Sequence, residues 1–334
     1  MSIAFATDRY DHMQYRRSGR SGLELPAISL GAWKTFGDNK DLDVARACMH
    51  AAFDLGITHF DLANNYGDPP GNAEVIVGGI VGSMPRDELV ISSKAGYRMW
   101  PGPYGEWGSR KSLIASCDQS LKRTGLDYFD IFYSHRPDPR TPIEETLGAL
   151  DTLVRQGKAL YAGVSSYTGA QFAAAVRVCE REGLTRITVH QPLYNLLHRT
   201  VEWDLLPQTE AAGTGVVAFC PLASGLLTGK FLDGNVPAGA RAAGDWTWAW
   251  VEKTKPADRA RILTGLNSIA AERAQSLAQM ALSWTLRHSG VTSALIGASR
   301  PEQVVENVAA LQNLDFTTDE LDRIDALTAT TATS

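Results

Sequence analysis

Beyond a polar leader, short β-branched or apolar runs alternate with amphipathic stretches of helical length. The runs are AISLG (27–31), HFDLA (59–63), LVISSKA (89–95), YFDIFYSH (128–135), ALYAGVSS (159–166), RITVHQP (186–192), GVVAFCPL (215–222) and SALIGAS (293–299). Between and after them the apolar spacing predicts helices over 42–56, 72–81, 109–125, 142–156, 169–182, 202–212 and 301–312. Ser109 is a fitting N-cap for the third of these, and Gly125 a fitting residue just past its end. Each strand-like run is bounded and mostly apolar, as in parallel strands covered on both faces. Eight such strands with helical crossovers predict an α/β chain closed into a (β/α)8 barrel. The competing arrangement is an open doubly wound sheet. It would prefer a GxGxxG after its first strand, whereas AISLG is followed by GAWKTFG.

Two segments fall outside the alternation. YRRSGRSGLELP (15–26) reads as a hairpin that plugs the bottom of the barrel. Residues 223–257 read as a long, structureless insertion after the seventh strand, the kind of loop that serves as a lid or ligand clasp. The chain, 1–334, is otherwise one barrel domain.

Composition narrows the function more than the fold. Of 334 residues, 44% are apolar and 21% charged, ordinary for a globular protein. No apolar run approaches the ~18 residues of a membrane-spanning helix, and the leader lacks the apolar core of a signal peptide. A net charge of -5 argues against a nucleic-acid binder. Cys48, Cys117, Cys179 and Cys220 form no CxxC pair, which points to free thiols in a reducing cytoplasm. His135-Arg136-Pro137-Asp138 is not a metal-ligand spacing.

In a (β/α)8 barrel, chemistry belongs at the C-terminal ends of the strands. Asp61 and Tyr66 of DLANNY follow the second strand, Lys94 ends the third and His135 the fourth. Ser165 and Ser166 close the fifth, Gln191 the sixth, and Phe219 lies near the end of the seventh. Singly, each has a structural reading: a capping acid, a solvated lysine, a rim aromatic, a buried histidine. In succession they fit proton donation to a carbonyl. A phenol with pKa about 10 is a poor acid at neutral pH, and a neighbouring ammonium lowers that value. Lys94 would so tune Tyr66, Asp61 would hold Lys94 charged, and His135 would orient the substrate oxygen.

The small residues of FCPLASGLLTGKF let backbone N–H groups approach an anion, with Lys230 adding charge. This makes Cys220, Pro221, Leu222, Ser224, Gly225 and Lys230 candidates for a phosphate site. Gly297, Ser299 and Arg300 stand at the start of the last predicted helix, another place suited to phosphate, and Arg241 is a weaker candidate in the insertion. Trp33, MWPGPYGEWG (99–108) and DWTWAW (245–250) load the loops with aromatics, which reads as a substrate pocket or lid. Trp33 and Trp100 are the pocket candidates there, and Arg98 is a candidate to hold a phosphorylated substrate.

The chain also resembles the aldo-keto reductases, in the branch that holds the voltage-gated potassium channel beta subunits and bacterial glyceraldehyde 3-phosphate reductases. The resemblance rests on GITHFDLANNYG, ISSKAG, FDIFYSHRPD, YAGVSSYTG, HQPLYNLLHR, FCPLASGLLTGKF and LIGASRPEQVVENV, in that order over residues 15 to 325. It implies NADPH bound without a Rossmann domain, and Asp61, Tyr66, Lys94 and His135 as a catalytic tetrad. It implies that Ser165, Ser166 and Gln191 hold the nicotinamide carboxamide and that Phe219 stacks on the ring. Lys230, Gly297, Ser299, Gln303, Glu306 and Asn307 would serve the pyrophosphate and adenosine end. Many relatives carry asparagine at the position of Ser166, and others a lysine at that of Gly297. Without that lysine, preference for the 2′-phosphate rests on Ser299, Arg300 and Arg241. Relatives in this branch often form tetramers or larger rings.

The expected function is NADPH-dependent reduction of aldehydes or ketones, glyceraldehyde 3-phosphate or similar small aldehydes among them. The alternative is a cofactor-binding regulatory or interaction subunit with little turnover. A Schiff-base aldolase using Lys94 fits less well, because its amine must be neutral and Asp61 would keep it charged.

Overall fold

In the computed structural model, residues 4–34, 36–37, 42–238, 240–244 and 248–329 are described. Two short antiparallel strands, β1 (Tyr15–Arg17) and β2 (Glu24–Pro26), open the chain. Eight further strands close into a parallel barrel: β3 (Ile28–Gly31), β4 (His59–Asp61), β5 (Val90–Ala95), β6 (Phe129–Ser134), β7 (Ala159–Ser165), β8 (Ile187–Gln191), β9 (Gly215–Phe219) and β10 (Val291–Ile296). Around the barrel the order is β10-β3-β4-β5-β6-β7-β8-β9. Helices follow the strands and pack outside, so the strands are largely buried on both faces, as their mostly apolar runs require.

The hairpin does plug the barrel. Leu23 and Leu25 pack with Ile131, Tyr133, Val189, Val217 and Leu295, which point into the interior from β6, β8, β9 and β10. Ser18 Oγ donates to the Thr188 carbonyl at 2.9 Å and ties the hairpin to β8. The third helix runs Arg110–Thr124, with Ser109 Oγ accepting from Ser112 N and Gly125 in the left-handed conformation.

Three local expectations change. The helix read over 202–212 is two pieces, Val201–Asp204 and Leu206–Ala212, because Pro207 has no N–H to carry the ladder across. The helix read over 301–312 ends at Val308 and tightens into a 3-10 turn over Ala309–Gln312. The insertion 223–257 is not structureless: it holds 3-10 turns at Ala223–Thr228 and Arg241–Gly244 and a helix at Trp248–Lys253. Within DWTWAW, positions 245–247 lie outside the described residues.

Helices Pro256–Glu272, Leu277–Thr285 and Thr318–Thr328 are additions to the sequence reading. Two of them carry a legible start signal. Ser276 with Gln279, and Thr317 with Glu320, each form a reciprocal capping box. Among the described residues no helix is long and apolar enough to cross a membrane.

Candidate active site

A cavity of about 610 Å3 opens at the C-terminal ends of the barrel strands. At its inner end, alternation along β4 and β5 turns Asp61 and Lys94 into the barrel, where both are fully buried. The Lys94 ammonium donates to Asp61 Oδ2 and to the Leu62 carbonyl, the latter at 2.7 Å. The other carboxylate oxygen, Oδ1, accepts from Ser92 Oγ at 2.6 Å and from Gln191 Nε2 at 3.1 Å. Burial lowers the Lys94 pKa, and the Asp61 charge works against that fall. An ion pair therefore survives in a place that would expel either charge alone.

Tyr66 stands on the turn after β4. Lys94 Nζ lies 5.1 Å from the centroid of its ring. His135 follows β6 edge-on to Tyr66, centroids 5.9 Å apart, and edge-on to Tyr97 at 4.6 Å. Its pKa falls well below the ordinary imidazole value, first by burial and then through the charges of Lys94 and Arg136. The ring is therefore neutral, with one N–H to offer. Among the described residues its buried Nδ1 has no hydrogen-bond partner. Trp33 stands on the other side of Tyr66, with centroids 6.2 Å apart.

The strand-end residues of the next sector line the same cavity. Ser165, Ser166, Gln191 and Phe219 are all on its wall. Ser165 Oγ donates to the Gln191 carbonyl at 2.8 Å, and Ser166 N to the same oxygen at 3.1 Å. Ser166 has φ 61, a strained setting for a side-chain-bearing residue.

Further out the wall is built by Cys220, Pro221, Leu222, Ser224, Gly225 and Lys230 on one side. Gly297, Ser299, Arg300, Gln303, Glu306 and Asn307 form the other, and Arg241 leans in between. Ala223, Ser224 and Gly225 are consecutive residues with positive φ (48, 53 and 100). Within this turn Ala223 N and Gly225 N donate to the carbonyls of Cys220 and Leu222, each at 2.9 Å, so the charge offered to an anion on this wall comes from side chains. A Cβ placed on Gly297 would stand 4.0 Å from Arg241 Nη1, so the guanidinium reaches across that glycine. Ser299 donates N and Oγ to Gln303 Oε1 at 2.8 and 3.1 Å. Three cations on this outer wall, Lys230, Arg241 and Arg300, fit the phosphates of a dinucleotide, and the polar inner wall fits a nicotinamide amide.

Two expected pocket residues are elsewhere. Arg98 is exposed, and neither Arg98 nor Trp100 lines the cavity. Their loop folds back on itself: Met99 N donates to the Gly105 carbonyl at 2.8 Å and Trp107 N to that of Gly96 at 3.0 Å. Arg136 pins it there, stacked on Tyr97 and Trp107 with its guanidinium carbon 4.1 and 3.8 Å from their centroids. Lys34, Asn65, Tyr97, Thr228 and Phe231 line the cavity without having been singled out from sequence. Lys34 adds a cation to that rim, with Nζ 4.5 Å from the Trp33 centroid.

The aldo/keto reductase family model matches residues 27–329. This chain belongs to the aldo/keto reductases. As a member of the family it is an NADPH-dependent oxidoreductase that acts on small carbonyl compounds. It is 54% identical over 324 residues to the "L-glyceraldehyde 3-phosphate reductase" of Escherichia coli (strain K12), covering 95% of this chain and 93% of that protein. It is 39% identical over 321 residues to a protein of Oryza sativa subsp. japonica named "Probable voltage-gated potassium channel subunit beta", covering 94% and 96%. A protein of Arabidopsis thaliana with the same name is 37% identical over 311 residues, covering 92% of this reductase and 93% of that protein.

Proposed function

We propose that this reductase converts small phosphorylated aldehydes to alcohols, with Tyr66 as the proton donor and Asp61, Lys94 and His135 as its supporting groups. Glyceraldehyde 3-phosphate, named in the 54% identical relative, is the first substrate to try. The observation that carries the reading is the meeting of a phenol, a buried ammonium–carboxylate pair and a neutral imidazole at the inner end of one cavity.

When bound, NADPH would supply the hydride for the carbonyl carbon. Ser165, Ser166 and Gln191 would hold its carboxamide, Phe219 would cover its ring, and Lys230 beside the 220–225 turn would hold its diphosphate. His135, neutral and edge-on to Tyr66, donates its one N–H to the substrate oxygen and fixes the carbonyl beside the phenol. As negative charge develops on that oxygen, the Tyr66 hydroxyl gives up its proton to it. The phenolate left behind is stabilised by the Lys94 ammonium. Asp61 keeps that ammonium charged in a site where burial alone favours the neutral amine.

For the phosphate of the substrate the rim offers Lys34. It lines the cavity beside Trp33 and Tyr66, and among the described residues no carboxylate pairs with it. Lys34→Met is expected to raise KM for glyceraldehyde 3-phosphate about 10-fold or more, the usual worth of a hydrogen bond to a charged group. KM for unphosphorylated glyceraldehyde should not move. Equal effects on both aldehydes would remove Lys34 from phosphate recognition. At the far end, Arg241 and Arg300 are the cations available to the 2′-phosphate. Replacing both by alanine is expected to weaken NADPH binding about 10-fold or more and leave NADH binding unchanged, as measured by fluorescence titration.

The reading as a whole is tested by following NADPH absorbance over a panel of phosphorylated and unphosphorylated aldehydes. Tight NADPH binding without turnover on any of them would favour a cofactor-binding subunit instead. A reducing, cytoplasmic setting is supported by four cysteines that form no disulfide. Self-association, as the resemblance implies, would cover exposed apolar side chains such as Trp203, 53% exposed, and is read by light scattering.

A further inference from the structure

The interior of a (β/α)8 barrel is normally filled by branched apolar side chains. Half of this one is. On the sector β10-β3-β4-β5, four side chains that are fully buried break the rule: Ser293, Ser29, His59 and Ser92, one from each of four neighbouring strands. Burying them is costly unless every polar atom is paired. They pair with one another in sequence around the wall. Ser293 Oγ and Ser29 Oγ are 2.6 Å apart, Ser29 Oγ and His59 Nδ1 2.8 Å, and His59 Nε2 and Ser92 Oγ 3.0 Å. The chain ends on Asp61, whose Oδ1 accepts from Ser92 Oγ at 2.6 Å.

The direction of every bond follows from its last member. The Asp61 carboxylate is ion-paired with Lys94 and only accepts, so the one Ser92 proton points to it. Ser92 must then accept from His59, which places the imidazole proton on Nε2. Burial pushes the His59 pKa down to about 4, so the ring is neutral and carries no second proton. Its Nδ1 therefore accepts from Ser29, and Ser29 accepts from Ser293. Four donors point one way, toward the carboxylate that holds Lys94. Aligned hydrogen bonds in a low-dielectric interior polarise one another in the same sense.

We propose that His59 is a positioning residue for the reduction: it holds Ser92 as a donor to Asp61 and thereby fixes the Asp61–Lys94 pair under Tyr66. No proton travels along the chain. Its work is to set the place and charge of the carboxylate. This inference rests on the proposed role of Tyr66 and its tetrad.

Its test compares His59→Leu, His59→Gln, Ser92→Ala and the double variant His59→Leu/Ser92→Ala with wild type and Tyr66→Phe. Turnover, aldehyde KM, NADPH affinity and thermal midpoint are measured for each. His59→Leu and Ser92→Ala are each expected to lower kcat roughly 10-fold, the scale seen when an outer hydrogen bond to a reactive group is removed, with KM and NADPH affinity kept. His59→Gln retains a donor and an acceptor and should recover most of the rate. Because His59 acts only through Ser92, adding His59→Leu to Ser92→Ala should cost no further rate. Full activity in Ser92→Ala would overturn the inference. So would independent losses in the double variant, or losses in His59→Gln equal to those in His59→Leu, because packing alone would produce them. If His59→Leu fails to fold, Ser29→Ala takes its place in the same cycle. If Tyr66→Phe is as fast as wild type, the tetrad reading fails and this one falls with it. If Tyr66→Phe is inactive while the His59 and Ser92 variants run at full rate, the positioning role alone is lost.

Discussion

Replacing Tyr66 by phenylalanine is expected to lower kcat by about 100- to 10,000-fold, the usual contribution of a positioned general acid. NADPH affinity should be unchanged. The substitution removes one oxygen from a ring that stands between Trp33 and His135 and keeps both aromatic contacts, so the cavity retains its shape. What is lost is the proton for the developing alkoxide, for which no other described side chain is poised. His135 is neutral and gives its single N–H to orientation, and two of the three Lys94 protons are held by Asp61 and the Leu62 carbonyl while Asp61 keeps the ammonium charged. The measurement is steady-state turnover beside a fluorescence titration with NADPH. A rate within a few-fold of wild type would mean that another group, or water, donates the proton.

The second large effect belongs to Lys94. Lys94→Met is expected to abolish measurable turnover and also to destabilise the fold by about 3–5 kcal/mol, the cost of leaving one member of a buried ion pair without the other. Asp61 is fully buried, and without Lys94 it keeps only its bonds from Ser92 and Gln191. The double variant Asp61→Asn/Lys94→Met should recover much of the stability and none of the activity, because no uncompensated charge remains but no ammonium faces the phenol. Urea unfolding of the two variants beside wild type gives the energies. A single Lys94→Met as stable as wild type would show that the pair is not held as a salt bridge.

Much of this arrangement is legible in the sequence because a parallel barrel writes itself in two repeating signals. One is the short, mostly apolar strand, and the other is the reactive residue at its end. Asp61, Lys94, His135, Ser165 and Gln191 are all read that way, and the barrel brings them to one cavity. What escapes is whatever depends on how a loop turns. Arg98 and Trp100, like Tyr97, fall within five residues of the end of β5 at Ala95. Yet only Tyr97 faces the cavity, since the 97–107 loop closes on itself under Arg136.

His59 escapes for a different reason. In HFDLA it looks like a polar residue in a buried strand, and its two partners, Ser29 and Ser92, come from the strands on either side, with Ser29 bonded in turn to Ser293, 264 positions further along the chain. Only the closed order of the sheet makes them neighbours. The helices at 277–285 and 318–328, by contrast, announce themselves through S-x-x-Q and T-x-x-E capping boxes.

The most direct test of the account is a crystal structure of the protein with NADP+. The nicotinamide ring is predicted to lie against Phe219, its carboxamide on Ser165, Ser166 and Gln191, with the Tyr66 hydroxyl and the His135 ring facing its reactive carbon. A nicotinamide bound away from Tyr66, or a Lys94 that has left Asp61 when the cofactor is in place, would contradict it.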